Sequence, residues 1–129
     1  MLIVGPPGSG KSTLATHLAN ECNLTHLERE QYSDDAAFRA AVRHACEQPD
    51  ARIAVVRTCP TLNEQTAWVA ITGATEVTVL DVDVDTCARR IHARGRRQWR
   101  SEVAAARSWH AHRRISLGVG VSAPPSRSW

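Results

Sequence analysis

The sequence predicts a three-layer α/β domain in which a mainly parallel sheet carries helices on both faces. Short apolar or β-branched runs (residues 2–4, 24–27, 52–58 and 76–82) alternate with stretches whose apolar residues recur at helical spacing. Strands that alternate with helices run parallel, because each crossover returns the chain to the same end of the sheet. The chain length gives the second argument: 129 residues, 43% hydrophobic and 22% charged, suffice for one core rather than two. The expected division is a domain over residues 1–115 and a loose tail over 116–129. No apolar run approaches the roughly 20 residues needed to span a bilayer, and no basic-then-apolar leader follows Met1. Cys22, Cys46, Cys59 and Cys87 lie far apart without CxxC spacing and read as reduced thiols of a cytoplasmic protein.

Each element has its own signal. Residues 2–4 form a buried strand ending at Gly5. Leu14, Ala15 and Leu18 mark a helix from Lys11 to about Cys22, with Asn23 as its stop. Residues 24–27 make a second strand that runs into Glu28-Arg29-Glu30. Ser33-Asp34-Asp35 opens the next helix, offering oxygen acceptors to free N–H groups and negative charge to the positive dipole end. Phe38, Ala41, Val42 and Ala45 form its apolar stripe, and Gln48-Pro49-Asp50 ends it. The third strand centres on Ile53-Ala54-Val55-Val56 and is broken by Pro60. Residues 62–72 are helical and closed by Gly73; residues 76–82 alternate as a fourth strand. Asp85 is expected to cap a helix that passes through Cys87, Ala88 and Ile91 to Arg94, with Gly95 closing it. A basic connector (96–100) then leads to a last helix over 101–115, and Gly118, Gly120, Pro124 and Pro125 make the tail.

Charge is informative by kind and by place. The 16 basic residues comprise 15 arginines and a single lysine, Lys11. In a composition that favours arginine, a solitary lysine marks a position where the wider, differently hydrated guanidinium would not serve. Residues 1–87 carry net −6 and residues 88–129 net +9, giving +3 overall. So basic a final third is expected to meet phosphates or an acidic surface.

Lys11 stands in Gly5-Pro6-Pro7-Gly8-Ser9-Gly10-Lys11-Ser12, a G-x-x-x-x-G-K-[ST] pattern between a strand and a helix. Glycines allow the positive φ angles that turn successive N–H groups inward into an anion-binding nest. The helix N-terminus adds free donors and about half a positive charge. Lysine reaches the terminal phosphates, and the Ser12 hydroxyl is suited to Mg²⁺. Gly5, Gly8, Ser9, Gly10, Lys11, Ser12 and Thr13 are therefore the candidate nucleotide-binding residues, with Ser12 the metal ligand.

This loop resembles that of the P-loop NTPase superfamily. With no lysine beyond Lys11, the Asn-Lys-x-Asp motif of the GTPases is excluded, and the ABC-type Ser-Gly-Gly-Gln is absent. Full-length AAA+ and RecA-like motors need longer cores. The resemblance over residues 1–100 is to the compact kinase branch, which includes nucleotide, gluconate- and shikimate-type, and polynucleotide kinases. It implies a P-loop kinase-like sheet in the order 2-3-1-4, binding of ATP and Mg²⁺, and transfer of the γ-phosphoryl group to a nucleotide, a nucleic-acid 5′-hydroxyl or a small-molecule hydroxyl.

Several further residues take roles from the same resemblance. Glu28 and Glu30 stand where the branch carries an Asp-x-Asp-like pair after the second strand, and either would orient the acceptor. Arg57, closing the third strand, would grip the acceptor. No acid closes that strand; Asp81 and Asp83 are the alternatives for the metal, although a cap at the strand-to-helix turn is the favoured reading. A lid over residues 89–100 would bring Arg89, Arg90, Arg94, Arg96 and Arg97 over ATP, with Arg90 and Arg94 four apart on one helix face.

Weaker signals remain. Cys22 with His26, and His110 with His112, lack a second ligand pair, so no zinc site is expected. Trp99, Trp109 and Trp129 interleave with arginines, a pattern that fits stacking on nucleic acid but fits core-facing tryptophans beside a wet arginine face better. The alternative function is thus an ATP-binding or ATP-hydrolysing interaction module acting on DNA or RNA through residues 88–129.

Overall fold

The computed structural model describes residues 1–116, leaving Trp129 and all but the first residue of the expected tail outside it. Its order is β1 (Leu2–Val4), α1 (Lys11–Glu21), β2 (Thr25–Glu28), a 3₁₀ turn (Arg29–Gln31), α2 (Asp35–Cys46), β3 (Ile53–Arg57), α3 (Leu62–Thr72), β4 (Val77–Val79), α4 (Val84–Arg94) and α5 (Trp99–Ser116). The four strands pair in parallel in the order β2-β3-β1-β4, as expected.

The two-residue period of the strands sorts the core. Leu2, Val4 and Val55 face one side, where Phe38 and Val42 of α2, Trp68 of α3 and Trp109 of α5 meet them. Ile3, Ala54 and Val56 face the other, against Ala15, Leu14 and Leu18 of α1. Cys87 and Ile91 of α4 pack on Val103 and Ala106 of α5, so the last two helices form a hairpin with its own small core. Trp109 ties that hairpin to the sheet: its indole is 2% exposed and donates to the Thr58 carbonyl at 2.5 Å, just past β3.

Several boundaries differ from expectation, among them β3, which spans Ile53–Arg57 rather than 52–58, and the end of the last helix, which includes Ser116 of the expected tail. β2 lies one residue later, which makes Glu28 the last strand residue, in register with Val56. β4 is only Val77–Val79, because β1 offers it three partners; one further bond, from Leu80 N–H to the Val4 carbonyl, ends the contact. The cap of α4 is Asp83 rather than Asp85: its carboxylate accepts from the Thr86 N–H at 2.9 Å and the Thr86 hydroxyl at 2.8 Å. α5 begins at Trp99, two residues early, because its first turn is held by Trp99 packing on His92, ring centroids 4.3 Å apart.

Trp109→Phe retains most of the apolar volume and deletes the donor to Thr58. A loss of about 1–3 kcal/mol is expected, from the orphaned carbonyl and the missing bond. Urea denaturation checks it; a change below about 0.5 kcal/mol would show that this bond does not hold α5 to the sheet.

Candidate functional site

The loop between β1 and α1 is built as its residue types demand. Gly8 (φ +80°) and Gly10 (φ +93°) take left-handed conformations that other residues adopt only with strain. Gly8 is doubly constrained, since a Cβ there would lie 2.7 Å from the Cys87 carbonyl oxygen of α4. Gly10 precedes the first residue of α1 without a side-chain cap, so the first amides of that helix open on the loop's hollow. Ser9 is 3% exposed, and its hydroxyl has no hydrogen-bond partner among the described residues.

Lys11 folds back over this loop and donates to the Pro6 carbonyl at 2.8 Å. Burial lowers its pKa from 10.5 to about 8; Glu30 and Glu28 oppose the shift, and Arg94 adds to it. Ser12, at the next position, donates to the Glu28 carboxylate at 2.5 Å. Glu28 is itself fixed by the turn after β2, where its N–H donates to the Gln31 side chain at 3.1 Å. A hydroxyl and a carboxylate meeting at the mouth of an anion nest form an oxygen donor set suited to Mg²⁺, a hard cation. The fit is with a polyphosphate carrying that ion.

Lys11, Ser12, Glu28 and Glu30 line one cavity of about 540 Å³, with Gly8, Gly10, Arg57, Arg94 and Glu102. Residues as far apart as Gly8 and Glu102 meet there because β1, β2 and β3 end at the same edge of a parallel sheet, where open α/β folds bind ligands, and α4 and α5 close over that edge. A second cavity, of about 680 Å³, lies on the flank of α1 and is lined by Ser9, Gly10, Thr13, Leu14, His17, Leu80, Arg90 and Arg94. Gly5 lines neither; it is buried, and a Cβ there would meet the Ser9 hydroxyl at 2.6 Å, so its part is to let the loop close on itself.

The arginines divide. Arg94 lines both cavities. Arg90 donates to the Gly8 and Ser9 carbonyls at 3.3 and 3.2 Å, bracing the loop from α4. Arg96 faces Glu102 at 3.5 Å, and Arg89 donates to the Thr86 hydroxyl at 3.1 Å. Arg57 reaches the first cavity, held over the rings of Phe38 and Trp68 at 5.4 and 4.6 Å, with Asp35 3.4 Å from its Nη1. Asp83 is consumed by its capping role, and Asp81 lies 3.6 Å from His110 and 3.9 Å from Arg113, so neither lines these cavities. Among the described residues no cluster of three His, Cys, Asp or Glu side chains could hold a metal ion. No described helix is long and apolar enough to cross a membrane.

Sequence reasoning missed Arg29, Arg39, Asp35, Trp68, His17 and Glu102. The i, i+4 spacing of Asp35 and Arg39 was visible; the approach of Trp68 from α3 and Glu102 from α5 had no local signal.

Lys11 sets the pH response. A free loop loses its cation above about pH 8, so affinity for pyrophosphate should fall there, by up to about tenfold per pH unit. Lys11→Met should abolish that limb, and calorimetric titration from pH 6.5 to 9.5 checks both. The unfolded chain keeps this proton up to about 10.5. Between 8 and 10.5 it therefore binds more protons than the folded protein, and the contribution of Lys11 to stability rises with pH through that window.

Similarity to known proteins agrees with this geometry. Residues 1–54, which hold β1, the loop, β2 and α2, match the family described as "ATPase family associated with various cellular activities (AAA)". A search of curated proteins finds no significant match. Among solved structures, a shikimate kinase from Bacteroides thetaiotaomicron superposes with a TM-score of 0.57 at 17% identity, covering 91% of this chain and 79% of that one. A gluconokinase from Sinorhizobium meliloti 1021 also gives 0.57, at 15% identity over 91% and 93%. The chain thus has the fold of the compact P-loop kinases and resembles the P-loop NTPase superfamily in that branch.

Proposed function

We propose that the protein is an ATP-dependent phosphotransferase that moves the γ-phosphoryl group to an acceptor hydroxyl or phosphate. The observation that carries this is the meeting of Lys11, Ser12, Glu28, Glu30, Arg57 and Arg94 on one cavity. Loop amides and Lys11 hold the phosphates of ATP, and Ser12 with Glu28 would hold Mg²⁺. Held there, the ion would supply positive charge to offset that of the phosphates.

With Glu28 engaged by Ser12, Glu30 is the carboxylate left to take the proton of the attacking hydroxyl. The acceptor oxygen bonds to phosphorus as the bond to the ADP oxygen breaks, and the proton goes to Glu30. Arg94 supplies positive charge from the lid side, Arg90 holds the loop beneath it, and Arg57 contacts the acceptor. With thiols read as reduced, we place the protein in the cytoplasm.

A second reading keeps the nucleotide but gives the α4–α5 hairpin a nucleic-acid partner. It draws on Trp99 and His92 at the hairpin tip, with the Arg100 guanidinium 4.7 Å from the indole centroid and Arg107 one heptad further along the helix. Against its wider form, Trp109 and Arg113 are buried and do not form an outer face.

Glu30→Gln should lower kcat by about 10²–10⁴ with ATP affinity nearly intact, whereas Glu28→Gln should raise the Mg²⁺ concentration needed for half-maximal rate. Transfer of labelled γ-phosphate to a panel of nucleosides, nucleotides, sugars and 5′-hydroxyl oligonucleotides checks this; normal turnover in both variants would remove the assignment. The second reading predicts oligonucleotide binding that falls as salt rises and weakens in an Arg100→Ala/Arg107→Ala double variant. Fluorescence anisotropy measures it, and salt-insensitive binding would exclude it.

A further inference from the structure

One carboxylate beside the proposed acceptor cavity has more cationic partners than its local role needs. Asp35 lies in the first turn of α2, where a carboxylate is stabilised by the helix dipole without any arginine. Three surround it: Arg39 Nε at 2.6 Å, Arg57 Nη1 at 3.4 Å and Arg29 Nε at 4.0 Å. The hydrogen bond from Arg39, with the charges of Arg57 and Arg29 behind it, holds the Asp35 carboxyl below its usual range, so the group is an anion.

The arginines are braced by groups other than Asp35 as well. Arg57 and Arg39 lie over the Trp68 indole at 4.6 and 5.0 Å, and Arg29 donates to the Tyr32 carbonyl at 2.9 Å. The buried Nε–H of Arg57 has no hydrogen-bond acceptor among the described residues. Asp35, by contrast, has a side chain 48% exposed to solvent. Arg29 and Arg57 also line the cavity that holds Lys11 and Glu30; Arg39 and Arg57 line the one beside it, with Glu64 at its wall. Even counting Glu64, removal of the Asp35 carboxylate would leave positive charge in excess, aimed at space a small molecule can enter.

We infer that Asp35 is an internal stand-in for an anionic group of the acceptor, a carboxylate or a phosphate, which displaces it and is gripped by Arg29, Arg39 and Arg57. The inference rests on the phosphotransfer reading for the word acceptor: the molecule would carry its anion on the side of the cavity away from the loop and offer a hydroxyl to Glu30. Swinging Asp35 into solvent exchanges one charge-assisted set for another, so the arginine site stays neutralised in both states. It also selects against neutral acceptors, which have nothing to put in its place.

Titration of inorganic phosphate and, separately, acetate into wild-type protein, Asp35→Asn and Asp35→Ser tests this, followed through the side-chain N–H resonances of the arginines. Both variants should bind one of the two anions at least about tenfold more tightly than wild type, with the shifts centred on Arg57 and lost in Asp35→Asn/Arg57→Gln. Tightening for acetate alone assigns a carboxylate, and tightening for phosphate a phosphate. Unchanged or weaker anion affinity in both variants, or shifts confined to the loop amides of residues 8–12, would overturn the inference. A protein that shows the tightened site but transfers nothing from ATP would refute the phosphotransfer reading and leave the arginine site standing.

Discussion

The constraint on which the rest depends is the conformation of the chain between Gly8 and Lys11. Positive φ at Gly8 and Gly10 turns the backbone so that α1 starts with its free amides facing a hollow. That geometry is held from outside as well as from within: α4 comes so close that no side chain fits at Gly8, and Arg90 donates to the two carbonyls that follow the turn. A nest of dipoles fixed in advance needs little reorganisation when an anion arrives, which is why its effect on charged ligands exceeds that of the same amides in a mobile segment.

Placing a cation and two carboxylates around the nest creates opposing demands. Lys11 is desolvated by the fold that makes it useful, and Glu28 and Glu30 partly restore its preference for the charged form. The acids come from β2, at the sheet edge, rather than from β3 beside the loop strand. Register explains how they reach: Glu28 pairs with Val56, and Val56 with Ile3, so β2 ends one residue short of β3 and β1 and the Glu28 side chain meets Ser12.

The basic final third dissolves into separate tasks once folded. Arg90 braces the loop, Arg96 meets Glu102, and Arg113 packs over Trp109, its ring centroid 5.3 Å from the guanidinium. Arg94 is the arginine of α4 that both cavities share. Among the described residues, the segregation of charge seen along the chain is therefore not a single surface, and the patch left near Trp99, with Arg100 over its ring, is local.

Local chemistry was enough to read most of the architecture from the residues alone. The strand–helix alternation, the glycine loop and the helix bounds at Leu62, Thr72 and Gly73 are written in nearest-neighbour terms: φ restrictions, capping oxygens and the period of apolar side chains. The order β2-β3-β1-β4 was legible only through the resemblance that the loop brought with it. Two caps show where local signals ran out. Asp34 was readable as a helix start, but Asp83 and Asp85 are equivalent by pattern, and only the short β4, limited by three available partners on β1, decides that the helix begins after Asp83. The same holds for the site. That Lys11 and Ser12 belong to a phosphate-loop pattern is read from their eight-residue context, whereas the sharing of Asp35 among Arg29, Arg39 and Arg57, and the bracing of two of those over Trp68, depend on how α2, α3 and β3 pack. Through-space charge and packing couple residues irrespective of chain separation, so no periodicity records them.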